Sequence, residues 1–371
     1  MSPDELATAS ADASELLTFP CGQCGADLQF KAGTNAMTCP YCGHVESIAA
    51  DQRPIVEYDL KSGLAAMRRA PARALATEGK AIQCGGCGAV AVVTTAASRC
   101  AFCDAPSVVE IDSAEEVFLP ESLLPFGLDE RAARELFAKW VAGRWFAPSD
   151  LVKRARTEKI DGVYLPYWTY DSQTTTRYTG LRGKHYWDTE SYTDSNGKRQ
   201  TRRVRKTRWY PAAGVVQVPF DDVLICASGS LPPTLTEALE PWDLQELRSY
   251  APQFLSGFIA ERYGVSLEQG FARAEERMEP LIRSAIRADI GGDTQQILSV
   301  RISHAHTTFK HLLLPAWISS YRYHDKVFRA LVNARTGEVV GERPWSWVKI
   351  TLTVLAVVAV IVTVVLLSKY G

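Results

Sequence analysis

A chain of 371 residues with 46% hydrophobic content can hold two or three folded units and at least one sizeable core. Its net charge of −1 shows no global excess that would point to nucleic acid. The charge is nevertheless uneven, because residues 1–60 hold nine acidic and two basic residues, whereas residues 176–210 hold ten basic and three acidic residues.

The first 18 residues are small and acidic and show no apolar period, which predicts a disordered lead. They lack the basic n-region and the long apolar h-region of a secretory signal. We therefore expect the chain to stay in the cytosol up to any later membrane segment.

Eight of the nine cysteines form four Cys-x-x-Cys pairs. Each pair places two thiolates on one tight turn, and two such knuckles joined by a short hairpin supply the four tetrahedral ligands that zinc prefers. Glycine at 25, 43 and 88, and Asp104 after the last pair, suit the left-handed backbone that such a turn needs. The predicted ligands of two structural Zn²⁺ ions are Cys21, Cys24, Cys39 and Cys42, then Cys84, Cys87, Cys100 and Cys103.

Two other uses of the cysteines stay open. A redox Cys-x-x-Cys would need a thioredoxin-like βαβ context, which the flanking sequence does not show. Iron–sulfur ligation is a second alternative, although this spacing favours zinc. His44 is expected at the surface, because four thiolates already complete the first site. The sequence around the first ribbon is acidic and that around the second has balanced charges, so both ribbons favour contact with protein over contact with DNA.

Residues beyond 113 have the composition of an α+β domain rich in antiparallel strands. Asp129 is expected to cap one helix, and the capping box that begins at Ser266 opens another. Leu-Pro-x-Trp occurs in two strand-like segments, which indicates either a duplicated unit or shared composition only. Pro166, in the first of these, is expected at a sheet edge or a bulge.

A basic run at residues 198–208 follows a hairpin turn at Asn196-Gly197. The favoured interpretation is a solvated strand that pairs with Asp188, Glu190 and Asp194. An alternative is contact with anionic lipid or protein through Arg202, Arg203 and Arg205. Contact with nucleic acid is the weakest alternative. Cys226 is expected to be buried and inert. The pair His304 and His306, with His311 nearby, is interpreted as structural rather than metal-binding.

Residues 350–367 carry no charge, and their only polar side chains are three threonines. A helix of this length covers ~27 Å, close to the hydrocarbon thickness of a bilayer. Aromatic and basic residues flank it, as interfacial anchors do. With four residues after it, we expect a tail anchor with the bulk of the chain in the cytoplasm; a buried core helix is the alternative.

The predicted organisation is a disordered lead at 1–18, zinc ribbons at 19–50 and 82–112, a linker at 51–81, an α+β cytosolic domain at 113–345 and a transmembrane helix at 346–368. The ribbons and their linker are expected to resemble beads on a semi-flexible string. The sequence contains no P-loop, no G-x-S-x-G, no H-E-x-x-H and no dinucleotide-binding loop, so we expect no enzyme.

The motifs CGQCG…CPYCGH, CGGCG…CAFCD, GVYLPYWTYD and LLLPAWISSYRY before an apolar span resemble a bacterial family of membrane-anchored double zinc-ribbon proteins. Its members are often labelled transcription factor IIB-type zinc ribbon or primosomal protein N′-like, helicase-like proteins. The resemblance implies a place in membrane-stress clusters, beside phage-shock-type and flotillin-like partners. Asp104 departs from the glycine usual after the last pair.

The sequence leaves two alternative functions. The first is a non-enzymatic membrane adaptor that recruits cytosolic protein partners to the bacterial inner membrane. The alternative is a nucleic-acid-binding accessory factor that uses the basic run at 198–208.

Overall fold

The computed structural model describes residues 19–49, 53–69, 80–93, 99–106, 108–110, 119–148, 150–151, 159–193, 195, 197–323 and 326–370. The predicted disordered lead at 1–18 and the turn residues Asp194 and Asn196 lie outside these residues. The fold class is α+β, as predicted, with many antiparallel strands and one apolar helix at residues 347–370.

The helices are α1 Leu60–Arg69, α2 Glu130–Ala142, α3 Pro233–Glu237, α4 Leu267–Ile290 and α5 Trp347–Tyr370, with 3₁₀ turns at Leu244–Glu246 and Pro252–Leu255. The strands are β1 Gln29–Phe30, β2 Ala36–Thr38, β3 Val45–Ser47, β4 Tyr58–Asp59, β5 Lys80–Cys84, β6 Val90–Val93, β7 Val108–Glu110, β8 Ser122–Leu123, β9 Asp161–Thr193, β10 Arg199–Cys226, β11 Arg248–Ser249, β12 Ile259–Glu261, β13 Thr294–Tyr323, β14 Lys326–Asn333 and β15 Val339–Gly341.

Two sheets contain these strands. The first is a three-stranded sheet in the order β1-β2-β3. The second is a 12-stranded sheet with the path β11-β8-β13-β9-β12-β6-β5-β7; β10 pairs with β9, β14 with β13 and β15, and β4 with β13. Strands β9, β10 and β13 are 33, 28 and 30 residues long, so they extend far beyond an ordinary strand and set the long dimension of the molecule.

The two Leu-Pro-x-Trp segments meet at the centre of the large sheet. Strands β9 and β13 pair antiparallel with Leu165 opposite Leu314, so the segments are related by a local two-fold axis. Short strands repeat the relation: β8 runs parallel to β13 beside Leu312, and β12 runs parallel to β9 beside the equivalent Val163. The structure therefore favours a duplicated unit over shared composition.

Each tryptophan of the repeated segments fixes the start of a helix. Trp317 Nε1 donates to the carbonyl oxygen of Leu128 at 2.9 Å, one residue before Asp129, which caps α2. Trp168 Nε1 donates to the carbonyl oxygen of Val265 at 2.9 Å, one residue before the Ser266 capping box of α4. Both predicted helix caps are confirmed, and each helix packs against strands of the opposite half.

Pro166 was expected at a sheet edge or a bulge, and this prediction is wrong. The residue lies within β9 and is buried. On that side of β9, pairing with β12 stops at Tyr164 and pairing with β10 begins at Tyr167. The missing N–H therefore falls in the gap between two neighbouring strands, where it removes no ladder hydrogen bond. Pro315 lies in the equivalent gap between β8 and β14.

Both cysteine-rich ribbons are packed into the body of the protein. The Phe30 N–H donates to the carbonyl of Ser256 at 3.1 Å, and the Gly33 N–H donates to that of Phe126 at 2.7 Å. In the second ribbon, β6 pairs with β12 and joins the large sheet. The structure thus differs from beads on a string, because ribbons this small cannot bury apolar side chains such as Phe30 and Phe102 by themselves.

Helix α4 covers one face of the long strands. The last of its buried residues, Ile290, lies beside Gly180. The buried residues recur at helical spacing and are Leu267, Gly270, Ala274, Met278, Ile282, Ile286 and Ile290. Beyond Gly183, which pairs with both Thr294 and Trp209, β9 and β10 continue as a two-stranded hairpin. We call this hairpin, residues 184–208, the arm.

Burial on α4 predicts a large difference between adjacent residues. Ile282 is 0% exposed and Leu281 is 60% exposed. Replacing Ile282 by Ala should lower the free energy of unfolding by about 2–5 kcal/mol, because it leaves a cavity against the sheet. Leu281→Ala should change it by less than about 0.5 kcal/mol. Urea unfolding of the detergent-solubilised protein measures both; equal losses would contradict this packing.

Candidate metal centres and membrane-facing surface

The four knuckles share one backbone geometry. In each, the N–H of the first cysteine donates to the carbonyl five residues later, and its own carbonyl accepts from the N–H four residues later, at 2.8–3.1 Å. The residue that closes the turn is left-handed in all four, with φ of 72° at Gly25, 74° at Gly43, 76° at Gly88 and 57° at Asp104. The predicted left-handed positions are confirmed.

Asp104 is held in this conformation by a neighbouring arginine. Arg99 contacts both carboxylate oxygens, with Nε 2.9 Å from Oδ1 and Nη2 3.0 Å from Oδ2. Nη2 also donates to the Asp104 carbonyl at 3.3 Å. A bidentate pair of this kind offsets the backbone strain of a non-glycine residue at positive φ.

Each set of four sulfur atoms lies within 4.8 Å of one another. The Sγ–Sγ distances are 3.6 Å for Cys21–Cys42, 3.5 Å for Cys24–Cys39, 3.6 Å for Cys84–Cys103 and 3.7 Å for Cys87–Cys100. These distances are far longer than the ~2.05 Å of a disulfide. They are close to the ~3.8 Å between ligands of a tetrahedral site with Zn–S bonds of ~2.3 Å. Both sets of predicted ligands can therefore hold a metal ion.

Backbone N–H groups stabilise negative charge on some of these sulfurs. The N–H of Cys42 lowers the pKa of the Cys39 thiol to about 6. Burial opposes ionisation of Cys84, but the N–H groups of Cys87 and Gly86 outweigh it and lower its pKa to about 7. Burial raises the pKa of Cys87 to about 11. Four thiolates this close repel one another, so full deprotonation requires a bound cation.

The described histidines lie outside both cysteine clusters. His44 Nε2 lies 3.3 Å from Glu46, as a surface histidine would. His304 contacts Ser172 and Glu275 through its two ring nitrogens. The ring of the buried His311 lies 4.8 Å from that of Trp168, with the two planes tilted by 38°. Among the described residues, no cluster of metal-ligating side chains includes a histidine. Cys226 lies apart from both clusters and faces the Pro166 carbonyl at 3.8 Å.

Helix α5 is long and apolar enough to cross a membrane. Within the segment Trp347–Lys369, an 18-residue window has a mean hydropathy of 3.1, and none of that window is buried against the protein. The hydroxyl groups of Thr353 and Thr363 donate hydrogen bonds to the carbonyls of Lys349 and Ala359 at 2.8 Å, as expected for threonines in an apolar helix.

A collar of aromatic and basic side chains surrounds the root of this helix. Lys349 Nζ donates to the Ala147 carbonyl at 2.8 Å and lies over the ring of Trp145. Arg343 lies over the ring of Trp345 at 4.5 Å. Trp145 is not recognisable as an interfacial residue from the sequence, because it follows α2 and reaches the helix only through the fold. Trp and basic residues at one level are typical of a membrane–water interface.

The basic run forms one strand of the arm. As predicted, acidic residues pair across it: Lys206 lies 2.7 Å from Asp188 and 3.0 Å from Glu190. Arg203 lies over Trp187, whose side chain is 62% exposed. The arm and the collar lie at opposite ends of β13, because the arm begins at Thr294 and Tyr321 contacts the chain that leads into α5.

Comparison with known proteins shows a similarity that extends over most of the chain. The chain is 28% identical over 341 residues to the uncharacterized protein YdjG of Bacillus subtilis (strain 168). The aligned region covers 89% of this chain and 91% of that protein. No family model matches the chain, and no solved structure matches it. The resemblance to membrane-anchored double zinc-ribbon proteins therefore stays a prediction.

The sulfur geometry predicts the metal content of the full-length protein. We expect about two metal ions per chain, and about one in the variant Cys21→Ser/Cys24→Ser, because the second cluster keeps its four ligands. Cys226→Ser is the matched control and should keep both ions. Elemental analysis after purification measures this; an unchanged content in the double variant would show that the first cluster binds no metal.

Unequal burial predicts the order in which metal is lost. Cys24 and Cys42 are exposed in the first cluster, whereas three of the four ligands of the second are buried. A chelator should therefore remove one ion in a faster phase, and that phase should be missing in Cys21→Ser/Cys24→Ser. A chromogenic zinc indicator follows the release; loss of the slower phase in that variant would reverse the assignment.

Proposed function

We propose that the protein is a non-enzymatic adaptor, held in the bacterial inner membrane by α5, that recruits cytosolic protein partners. The observation that carries this proposal is the separation of two surfaces along one strand. The apolar helix and its collar lie at one end of β13 and the basic arm at the other. The 30 residues of β13 cover about 100 Å when extended at ~3.3 Å per residue.

Membrane insertion is supported by the surface of α5. Its large apolar side chains are about half exposed or more, among them Leu352, Val360 and Leu367. A continuous apolar surface of this size is not stable in water and needs a lipid or protein environment. The adjoining collar of Trp145, Trp345 and Lys349 favours lipid, since these side chains suit the headgroup level of a bilayer. We place the bulk of the chain in the cytoplasm.

We assign Zn²⁺ to both cysteine clusters, in a structural role. Four thiolate ligands complete a tetrahedral site and leave no open position for a substrate or water. Bound zinc would hold each pair of knuckles together and thereby fix the apolar contacts that the ribbons make with the body. The Phe102 carbonyl, next to Cys103, accepts from Arg329 Nε at 2.7 Å, which ties the second cluster to β14.

The cleft between β10, α3 and α4 offers little support for catalysis. It has a volume of about 530 Å³ and is lined by Cys226, Glu240 and Arg277 among others. Burial raises the pKa of the Cys226 thiol to about 12, so this sulfur is a weak nucleophile at neutral pH. Arg277 is paired with both carboxylate oxygens of Glu240. These lining groups serve as an ion pair and a half-buried thiol.

The arm is the surface that we assign to the partner. Its distance from α5 favours a cytosolic target over the bilayer in which α5 lies, so contact of Arg202, Arg203 and Arg205 with anionic lipid is the weaker proposal. Phage-shock-type or flotillin-like proteins are the partners that the sequence resemblance implies. The alternative function, a nucleic-acid-binding accessory factor, rests on the same arm, where arginines lie over exposed aromatic rings.

Removing the anchor tests the adaptor function. Deletion of residues 346–371 should move the protein, together with crosslinked partners, from the membrane fraction to the soluble fraction. Deletion of residues 368–371 alone is the control and should leave both in the membrane. Fractionation followed by crosslinked co-purification measures this. Partners that remain in the membrane without α5 would contradict recruitment.

A further inference from the structure

The backbone groups of the arm point alternately towards and away from the partner strand. In an antiparallel pair, every second residue turns its N–H and C=O outwards. Pro211 and Pro219 have no N–H and pair in continuous register with β9, so odd-numbered residues of β10 are the outward ones. On β9 the odd-numbered residues also face away from β10, because the Gly183 carbonyl accepts from Asp293 N–H on the side of β13.

The β9 edge of the arm is partly closed by carboxylates. The outward N–H of His185 donates to Asp293 Oδ2 at 2.7 Å. The outward N–H of Thr189 donates to Asp188 Oδ1 at 2.9 Å. An added strand on this edge would have to displace both hydrogen bonds, so the edge is protected.

The β10 edge is open. Within the described part of the chain, β10 pairs only with β9. Its outward N–H groups have no hydrogen-bond partner among the described residues up to Pro211, where the next outward donor is missing. The outward residues of this open edge are Arg199, Thr201, Arg203, Arg205, Thr207 and Trp209. They form a row of unpaired donors and acceptors about 35 Å long.

The charge of the arm is unevenly neutralised. Residues 184–208 hold eight basic and three acidic residues, a net charge of +5. Asp188 and Glu190 lie on the face of the even-numbered residues, where they pair with Lys206 and Arg202. On the opposite face, Arg199, Arg203 and Arg205 have no acidic partner among the described residues. The open edge is therefore flanked by a basic face.

We propose that the open edge of β10 binds an extended acidic segment of a partner protein, which adds to the arm as a third strand. Backbone hydrogen bonds would supply affinity, and acidic side chains at every second position would face Arg203 and Arg205. A nucleic acid would satisfy the cations but not the alternating N–H and C=O groups, which is why a polypeptide fits this edge better. The inference rests on the proposed adaptor function and names its partner class.

Peptide binding to the full-length protein tests the pairing. The protein is placed in nanodiscs of zwitterionic phospholipid, and the probe is a fluorescein-labelled peptide of five Glu-Thr repeats. It should bind at least about tenfold more tightly than a peptide of five Glu followed by five Thr, because only alternation places the carboxylates on one face. Equal binding of the two peptides, or no binding of the repeat, would overturn the proposal.

A proline on the edge separates strand addition from charge attraction. Thr207→Pro removes one outward N–H without breaking a β9–β10 hydrogen bond, and should weaken binding by about tenfold. Thr207→Val loses the hydroxyl contact to His185 but keeps the N–H, and should bind within about twofold of the parent. Ala213→Pro, outward but beyond Pro211, should also bind as the parent does. Metal content of two ions per chain checks the fold of each variant.

Charge variants and a second probe complete the test. Arg203→Gln/Arg205→Gln should weaken peptide binding and reduce its salt dependence. If Thr207→Pro binds the peptide as the parent does, strand addition is wrong. If a 12-nucleotide oligothymidine binds more tightly than the peptide and is insensitive to Thr207→Pro, the arm is a nucleic-acid surface instead. Anchor deletion is read separately, so failure here leaves membrane recruitment testable on its own.

Discussion

The antiparallel pairing of β9 with β13 is the constraint on which the rest of the structure depends. Its register places Leu165 opposite Leu314 and thereby aligns the two Leu-Pro-x-Trp segments. Trp168 and Trp317 then fix the starts of α4 and α2 through their indole N–H groups. The same two strands lead to the arm in one direction and to the collar of α5 in the other. A slip of one residue would move Leu314 away from Leu165 and turn the side chains of one strand to the opposite face of the sheet.

The cysteine clusters are part of this framework. Each ribbon is too small to bury its own apolar residues, so Phe30 packs against Phe254, and Phe102 belongs to a buried cluster with residues of β13 and β14. Metal binding closes the knuckles, and the knuckles position these contacts. Loss of metal is therefore expected to loosen the body as well as the ribbons, which is the behaviour of a structural rather than a catalytic ion. The more exposed first cluster is the weaker point of this arrangement.

Local chemistry made several features predictable from the sequence. Cysteine spacing identifies both metal clusters, glycine and Asp104 mark the left-handed turn positions, and Asp129 and Ser266 mark helix starts. Residues 350–367 predict the apolar helix by their length and their uncharged, apolar composition. Features that depend on long-range pairing were not predictable. The docking of the ribbons, the gap that accommodates Pro166 and the position of Trp145 beside α5 follow from strand register, which a single sequence does not specify. The open edge of β10 likewise appears only when every neighbour of the strand is known.

Site-specific photocrosslinking in native membranes tests most directly whether the protein presents one end to lipid and the other to a protein partner. A photoreactive amino acid at Trp145 should form adducts with phospholipid, because this residue lies in the collar. The same group at Trp187 should form adducts with protein, and Thr207→Pro should lower their yield, because it weakens binding about tenfold. Phospholipid adducts at Trp187, or protein adducts there whose yield is the same with Thr207→Pro, would contradict the account.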